Sequence, residues 1–399
     1  VAARDLAIAA GAVIVWLLVS RRAERFNISP ALALVLVGVL LANGPWAVIE
    51  VDLHTESVTR LAEATLALVL FCDASRVSLR RLRADVDLPV RLLVIGLPLT
   101  ILLGIGVSIL VVPHTGVWVA AAIAAIVAPT DAALGASILA DKRIPGRIRQ
   151  ALNVESGLND GIATPFVNLF IAGALAGSLG HSDGVRTAIA HLVVGGVFGA
   201  AVGTGGGLLI RAASRADWMS SASRPLAVLG VAALAYLGAL PLHGNGFISA
   251  FVAGMAFGTM DRAESSERTE FTSQVAEGLT LLVWFVFGSV LFVPAIREAH
   301  WADVLFAVLA LTVVRMVPVA LALVGSGLDA ASVALVGWFG PRGLASVVFT
   351  LIAIEELDPA DGQRVLSVVS ITIAASVLAH GVSASPLARV YGSRRARHA

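Results

Sequence analysis

Long apolar runs, broken by short polar clusters, fill the chain from end to end. Thirteen stretches are apolar enough to cross a bilayer: approximately 5–20, 28–43, 58–75, 88–112, 116–140, 149–177, 184–211, 224–241, 244–260, 273–294, 301–324, 331–354 and 363–387. A helix of about 20 residues spans the ~30 Å hydrocarbon core. Helices are required because lipid offers backbone groups no hydrogen-bond partner. The loops are short, so no attached soluble domain is expected. The predicted fold class is all-α: a polytopic membrane protein of about 13 transmembrane helices, with segments 1–6 and 8–13 as two inverted six-helix repeats joined by the seventh.

Two segments carry a breaker near their middle. In the fifth, "VAAAIAAIVAPTDAALGASIL", Pro129 removes a backbone donor and disfavours helix at Ala128. In the twelfth, "ALVGWFGPRGLASVVFTLIA", Gly337, Gly340, Pro341 and Gly343 fall close together. Each is the fifth segment of its half. Paired interrupted helices at matching places in two halves point to a transporter's binding site, where freed carbonyls and half-helix ends lie at mid-membrane. A kink without function is the bland reading of either one alone.

Composition agrees with the pattern. The chain is 58% hydrophobic and 14% charged, with a mean hydropathy of +0.89; soluble domains carry about a quarter charged residues. The net charge of +1 indicates no acidic partner, because the charges are sorted by loop. With loops numbered alternately from an outside N-terminus, 21 of the 28 basic residues fall on one side and five on the other, with Arg315 and Arg342 inside segments. Basic residues collect on the cytoplasmic side, so the expected topology is N-terminus outside and C-terminus inside. No cleavable leader is expected. Cys72 is the single cysteine, which excludes an intrachain disulfide.

Charged residues inside the segments are the candidate chemistry. At a rise of 1.5 Å per residue, Asp131, Asp160 and Arg342 lie roughly 14–16 Å from the segment ends, near the bilayer centre. In "NVESGLNDG", with Glu155 at zero on a helical wheel of about 100° per residue, Asn159 falls near 40°, Ser156 near 100° and Asp160 near 140°. That face carries oxygen donors only, a ligand set for a hard cation. Asp131 and the carbonyls freed around Pro129 and Thr130 complete it. Glu155 needs a positive partner, and the central arginines are Arg342 and Arg315. The expected pair is Glu155–Arg342, the alternative being that Arg342 binds an anionic substrate; Arg315 receives no role. Asp73, about one turn from the inner end of its segment, is either a solvated helix-end acid or part of a cation entry funnel. His191 and His380 read as satisfied interior groups.

"APTD", "NVESGLNDG" and "GWFGPRGLAS" resemble signature stretches of sodium/proton antiporters in the cation/proton antiporter superfamily, most closely the electroneutral branch with an Asn-Asp pair that includes eukaryotic sodium/hydrogen exchangers. "GNGFISAFVAG" and "FVFGSVL" are also typical. The resemblance covers nearly the whole chain. It implies that Asp160 binds sodium and proton in competition, with Asn159 as its helix-stabilising neighbour. Thr130, Asp131 and Ser156 would be further sodium ligands, Asp73 would lie at the position of a family Glu, and Glu155 and Arg342 would form a buried ion pair. It further implies a homodimer in the cell membrane. Residues 1–87 and 224–300 would form the dimer scaffold, 88–180 and 301–388 the moving core, 181–223 a linker helix and 389–399 a short cytoplasmic tail.

The implied function is sodium/proton antiport, without cofactor and without enzymatic activity. A potassium- or lithium-preferring antiporter uses the same oxygen ligands. A cation channel is disfavoured by the inverted halves and single acid site. An intramembrane aspartyl protease would require a Gly-x-Gly-Asp motif, which neither Asp131 nor Asp160 has.

Overall fold

The computed structural model describes residues 3–24, 28–43, 48–49, 56–76, 87–131, 134, 138–139, 141–179, 184–260 and 265–396. Arg25, Arg80, Arg81, Arg83, Arg262 and Arg397, like Ala132 and most of the second half of the fifth segment, lie outside the described residues.

Among the described residues every element is a helix, and the helices fall in the thirteen segments that the apolar runs predict. They are α1 (Ala3–Glu24), α2 (Pro30–Asn43), α3 (Glu56–Arg76), α4 (Asp87–Val111), α5 (Val117–Val127), α6 (Gly146–Leu179), α7 (Gly184–Arg215), α8 (Ser223–Ala239), α9 (Gly246–Met260), α10 (Ser265–Val286, continued by a π-helical turn Phe287–Phe292 and Val293–Arg297), α11 (Trp301–Leu311 and Val313–Ala322), the half-helices α12 (Ala330–Trp338) and α13 (Leu344–Glu356), and α14 (Pro359–Ala396). Among the described residues eight helices are long and apolar enough to cross a membrane, and α2, α5 and α9 are shorter apolar helices. Large apolar side chains such as Leu18, Leu110, Leu209 and Val382 stand more than two-thirds exposed. An aqueous surface does not tolerate that display, but lipid requires it. The protein is a polytopic helical membrane protein.

The chain divides into two compact units. One comprises residues 1–59, 87–159 and 281–399; the other comprises 60–86 and 160–280. In the first, α2 crosses the π-helical turn of α10. A Cβ at Gly38 would lie 2.3 Å from the Phe285 carbonyl oxygen, and one at Gly288 would lie 2.2 Å from that of Val35, so only glycines admit this approach. A buried apolar cluster (Leu92, Ile148, Leu152, Val319, Val336 and Tyr391 among its members) holds the ends of α4, α6, α11, α12 and α14. The helix α14 continues through Pro386 to Ala396, past the end of the apolar run. Ala388 and Tyr391 are buried there, and the Tyr391 hydroxyl meets Ser332 Oγ at 2.7 Å.

In the second unit α7 packs along α9 through Gly195, Gly199 and Gly203, one face of the helix at four-residue spacing. The other side of α9 meets α3 at Gly254 and Gly258. Phe71, Cys72, Val228, Ala232 and Phe257 fill the core of this unit.

Candidate functional site

Pro129 ends α5 as the sequence requires, with Ala128 as the C-cap. The last carbonyls of a helix have no intrahelical donor, and a buried carbonyl cannot be left bare without cost. Several of them here are given a donor from elsewhere in the same unit. Ser346 Oγ donates to the Ile126 oxygen at 2.7 Å, and Arg342 donates to Ala128 at 2.6 Å and to Pro129 at 3.3 Å. Ser156 Oγ, on α6, donates to the Thr130 oxygen at 2.7 Å.

The second break faces the first. The half-helix α12 ends at Trp338 and α13 begins at Leu344; between them the glycines and Pro341 leave the chain out of helix. The Asp131 amide donates to the Pro341 oxygen at 2.7 Å, and the Leu344 amide approaches Asp131 Oδ2 at 3.4 Å. The exchange of charge is reciprocal. Asp131 stands at the N-terminus of α13, where a helix dipole favours an anion, and Arg342 stands at the C-terminus of α5, where it favours a cation. Gly343 is required by this crossing: a Cβ there would fall 2.1 Å from the Asp131 side chain. At Gly340 a Cβ would fall 2.7 Å from Arg315 Nε and 3.0 Å from Thr130 Cγ2.

The polar face of α6 meets the first break. Asn159 Nδ2 donates to Thr130 Oγ1 at 2.7 Å, beside the Ser156 contact. The Asn159 amide oxygen is buried and accepts no hydrogen bond. The structure thus brings Thr130, Asp131, Ser156 and Asn159 together. Asp160 follows Asn159 on the uninterrupted α6 and is partly buried, with Thr164 Oγ1 donating to its carbonyl at 2.8 Å. Asp73 is partly buried on α3, in the second compact unit.

The expected Glu155–Arg342 pair is corrected. Glu155 pairs with Arg315 of α11, Arg315 donating through both terminal nitrogens at 2.6 and 2.9 Å. Both residues are 2% exposed. Arg342, 0% exposed, donates through its two terminal nitrogens to the carbonyls of Ala128, Pro129 and Ala310. The reason is local. Arg342 sits in a non-helical stretch among carbonyls stripped of helical donors. Ala310 is one, because α11 is interrupted at Thr312 (φ −108°, ψ −87°). Arg315 extends from the regular helix beyond that interruption, and its planar fork matches a carboxylate. Sequence reasoning also missed Ser346 and Ser376, the latter accepting from the Arg342 amide at 2.7 Å. Their only signal is a hydroxyl in an apolar run, which is commonplace in membrane helices.

A family model described as sodium/hydrogen exchanger, transmembrane, matches residues 9–390. Among solved structures the fold is similar to that of the sodium proton antiporter MjNhaP1 from Methanocaldococcus jannaschii at pH 8, with a TM-score of 0.78 at 19% identity over 97% of this chain and 99% of that one. An electron-microscopy structure of the same archaeal antiporter superposes with a TM-score of 0.72 at 19% identity, over 96% of each chain. No curated protein matches the sequence.

Proposed function

The chain belongs to the sodium/hydrogen exchanger family, and on that premise we propose that it exchanges sodium ions for protons by alternating access, with Asp160 as the carboxylate both ions share. The observation that carries this reading is the pair of hydrogen bonds from Asn159 and Ser156 to Thr130. They tie the face of α6 that leads into Asp160 to the chain break that bears Asp131. The Ser156 hydroxyl donates and the Thr130 hydroxyl accepts one hydrogen bond; each keeps a lone pair for a cation, so Thr130 and Ser156 act with Asp131 and Asp160 as sodium ligands in this reading. The unpartnered Asn159 oxygen is an acceptor for the cation or for the protonated carboxyl.

The same reading makes the exchange electroneutral. Glu155 is matched by Arg315, Asp131 sits at a helix N-terminus and Arg342 at a helix C-terminus, so these charges are held constant. Asn159 cannot ionise. Asp160 alone then changes occupancy, and the site carries the same charge with sodium as with a proton. Residues 88–180 and 301–388 are the moving core in this account, and 1–87 and 224–300 the scaffold of a homodimer. The cell membrane is the proposed location, with the N-terminus outside and the C-terminus in the cytoplasm.

The test is reconstitution into proteoliposomes with an imposed pH gradient. Sodium addition is expected to collapse the gradient, to the same end point with and without a potassium/valinomycin potential. A potential acts at about 2.3 kcal/mol per net charge per 100 mV, so an end point that follows it tells against one-for-one exchange. Collapse by potassium alone, with no response to sodium or lithium, tells against sodium as the cation.

A further inference from the structure

We infer that His380 on α14 is a positioning residue for the ion site, acting through Trp338 and Ser376 on the chain break that holds Arg342; the inference rests on the exchange function proposed above. His380 is 1% exposed. Its Nε2 lies 2.8 Å from the carbonyl oxygen of Trp338, the last residue of α12. A carbonyl only accepts, and both ring nitrogens face one; the Ser376 hydroxyl can donate to Nδ1, whereas Trp338 offers Nε2 no donor, so the tautomer assigned here carries its proton on Nε2. The ring also packs on Trp338 and Phe339, with centroids 5.3 and 6.0 Å apart. Its Nδ1 faces Ser376, 3.1 Å from Oγ and 2.8 Å from the carbonyl oxygen.

Three residues on one stripe of α14 therefore grip the break. Ser376 Oγ takes the Arg342 amide at 2.7 Å, His380 takes the Trp338 carbonyl, and Ser383 Oγ takes the Trp338 indole N–H at 2.9 Å. The spacing of four and three residues puts them on a single helical face. From the break the grip passes to the site. The Arg342 main chain is fixed by Ser376, and its guanidinium holds the carbonyls of Ala128 and Pro129, the two residues before Thr130 and Asp131. A histidine that only filled space would not need a ring nitrogen on the end of another helix. His380 is not itself a ligand; it sets where Thr130 and Asp131 stand.

The test separates the two ring nitrogens. A glutamine amide nitrogen reaches the place of Nε2, and an asparagine amide nitrogen reaches only that of Nδ1; neither titrates. In reconstituted full-length protein, His380→Gln is expected to keep the sodium KM and turnover of the native chain. His380→Asn is expected to raise the sodium KM about tenfold with a smaller effect on turnover, the scale of a site displaced by one lost buried hydrogen bond. Ser376→Ala, a milder change, is expected to shift the sodium KM in the same direction and decides the matter if His380→Asn does not fold. The sodium-induced rise in melting temperature, read on the same proteins, gives the answer without turnover. Equal behaviour of well-folded Gln and Asn variants, or a native sodium KM in Ser376→Ala, overturns the inference. Absence of exchange in the native chain overturns the proposed function instead. Sodium-dependent stabilisation lost in Asn and kept in Gln still supports the role of His380.

Discussion

The Glu155 carboxylate and the Arg315 guanidinium form a two-pronged ion pair, 2.6 and 2.9 Å long, with both side chains 3% exposed. A buried pair of this kind is valuable mainly because its separation is costly. Removing one partner strands a charge and costs about 3–5 kcal/mol. Glu155→Ala and Arg315→Ala are each expected to lower stability on that scale in detergent unfolding experiments, and the double variant to cost less than the sum. The coupling between Glu155 and Arg315 should exceed that between Glu155 and Arg342. The reverse order would restore the pairing that the structure replaces.

The approach of Gly343 to Asp131 makes a second prediction. A methyl group at position 343 collides with the Asp131 side chain at 2.1 Å, so one of the two must move. Gly343→Ala is expected to lower sodium-driven proton flux at least about tenfold, since small displacements of reacting or binding groups have effects of this size or larger. Gly106→Ala, on an open face of α4, has no atom within 4 Å of the new methyl and serves as the control. Equal flux in the two variants would show that the crossing tolerates a displaced Asp131.

Asp141 and Arg143 predict a pH dependence outside the membrane segments. Hydrogen bonds from the Arg143 side chain hold the Asp141 carboxyl below its usual range; the Arg143 amide and charge add to the effect. A folded value below the unfolded one gives stability that is present above the unfolded carboxylate pKa of about 3.9 and is lost as pH falls through the folded value. Asp141→Asn should therefore follow the native chain in shape from about pH 5 to 8 and lose part of its acid limb below about pH 4. Melting temperature against pH for both proteins checks this. A gap between native chain and variant that changes between about pH 5 and 8, instead of narrowing below about pH 4, would contradict the assignment.

The breaks were legible because proline and glycine act locally. Pro129 ends α5 whatever surrounds it, and the glycines and proline of 340–343 break the twelfth segment between Trp338 and Leu344. The polar face of α6 was legible because helical periodicity alone puts Ser156 and Asn159 on adjoining sides. The partner of Glu155 was not. Two arginines were available, and the choice depends on which free carbonyls lie around Arg342, a property of three helices distant in sequence. The continuation of α14 past Pro386 was hidden for a similar reason. It rests on the tertiary burial of Ala388 and Tyr391, which overrides a polar, basic composition. His380 was legible as a satisfied interior group, but not as a group whose donor is spent on the end of α12.

The central claim is that one carboxylate, Asp160, takes sodium and proton in turn. Asp160→Asn keeps the shape of the side chain and removes both the charge and the exchangeable proton. The direct measurement is sodium-driven proton flux in proteoliposomes, native chain beside Asp160→Asn, across a range of acid to neutral pH. The account predicts no flux from the variant at native-like melting temperature. It also predicts a native sodium KM that rises as pH falls, approaching about tenfold per unit once the carboxyl is mostly protonated, because one proton displaces one sodium ion. Flux retained by Asp160→Asn, or a native sodium KM that stays flat through acid pH, would contradict it.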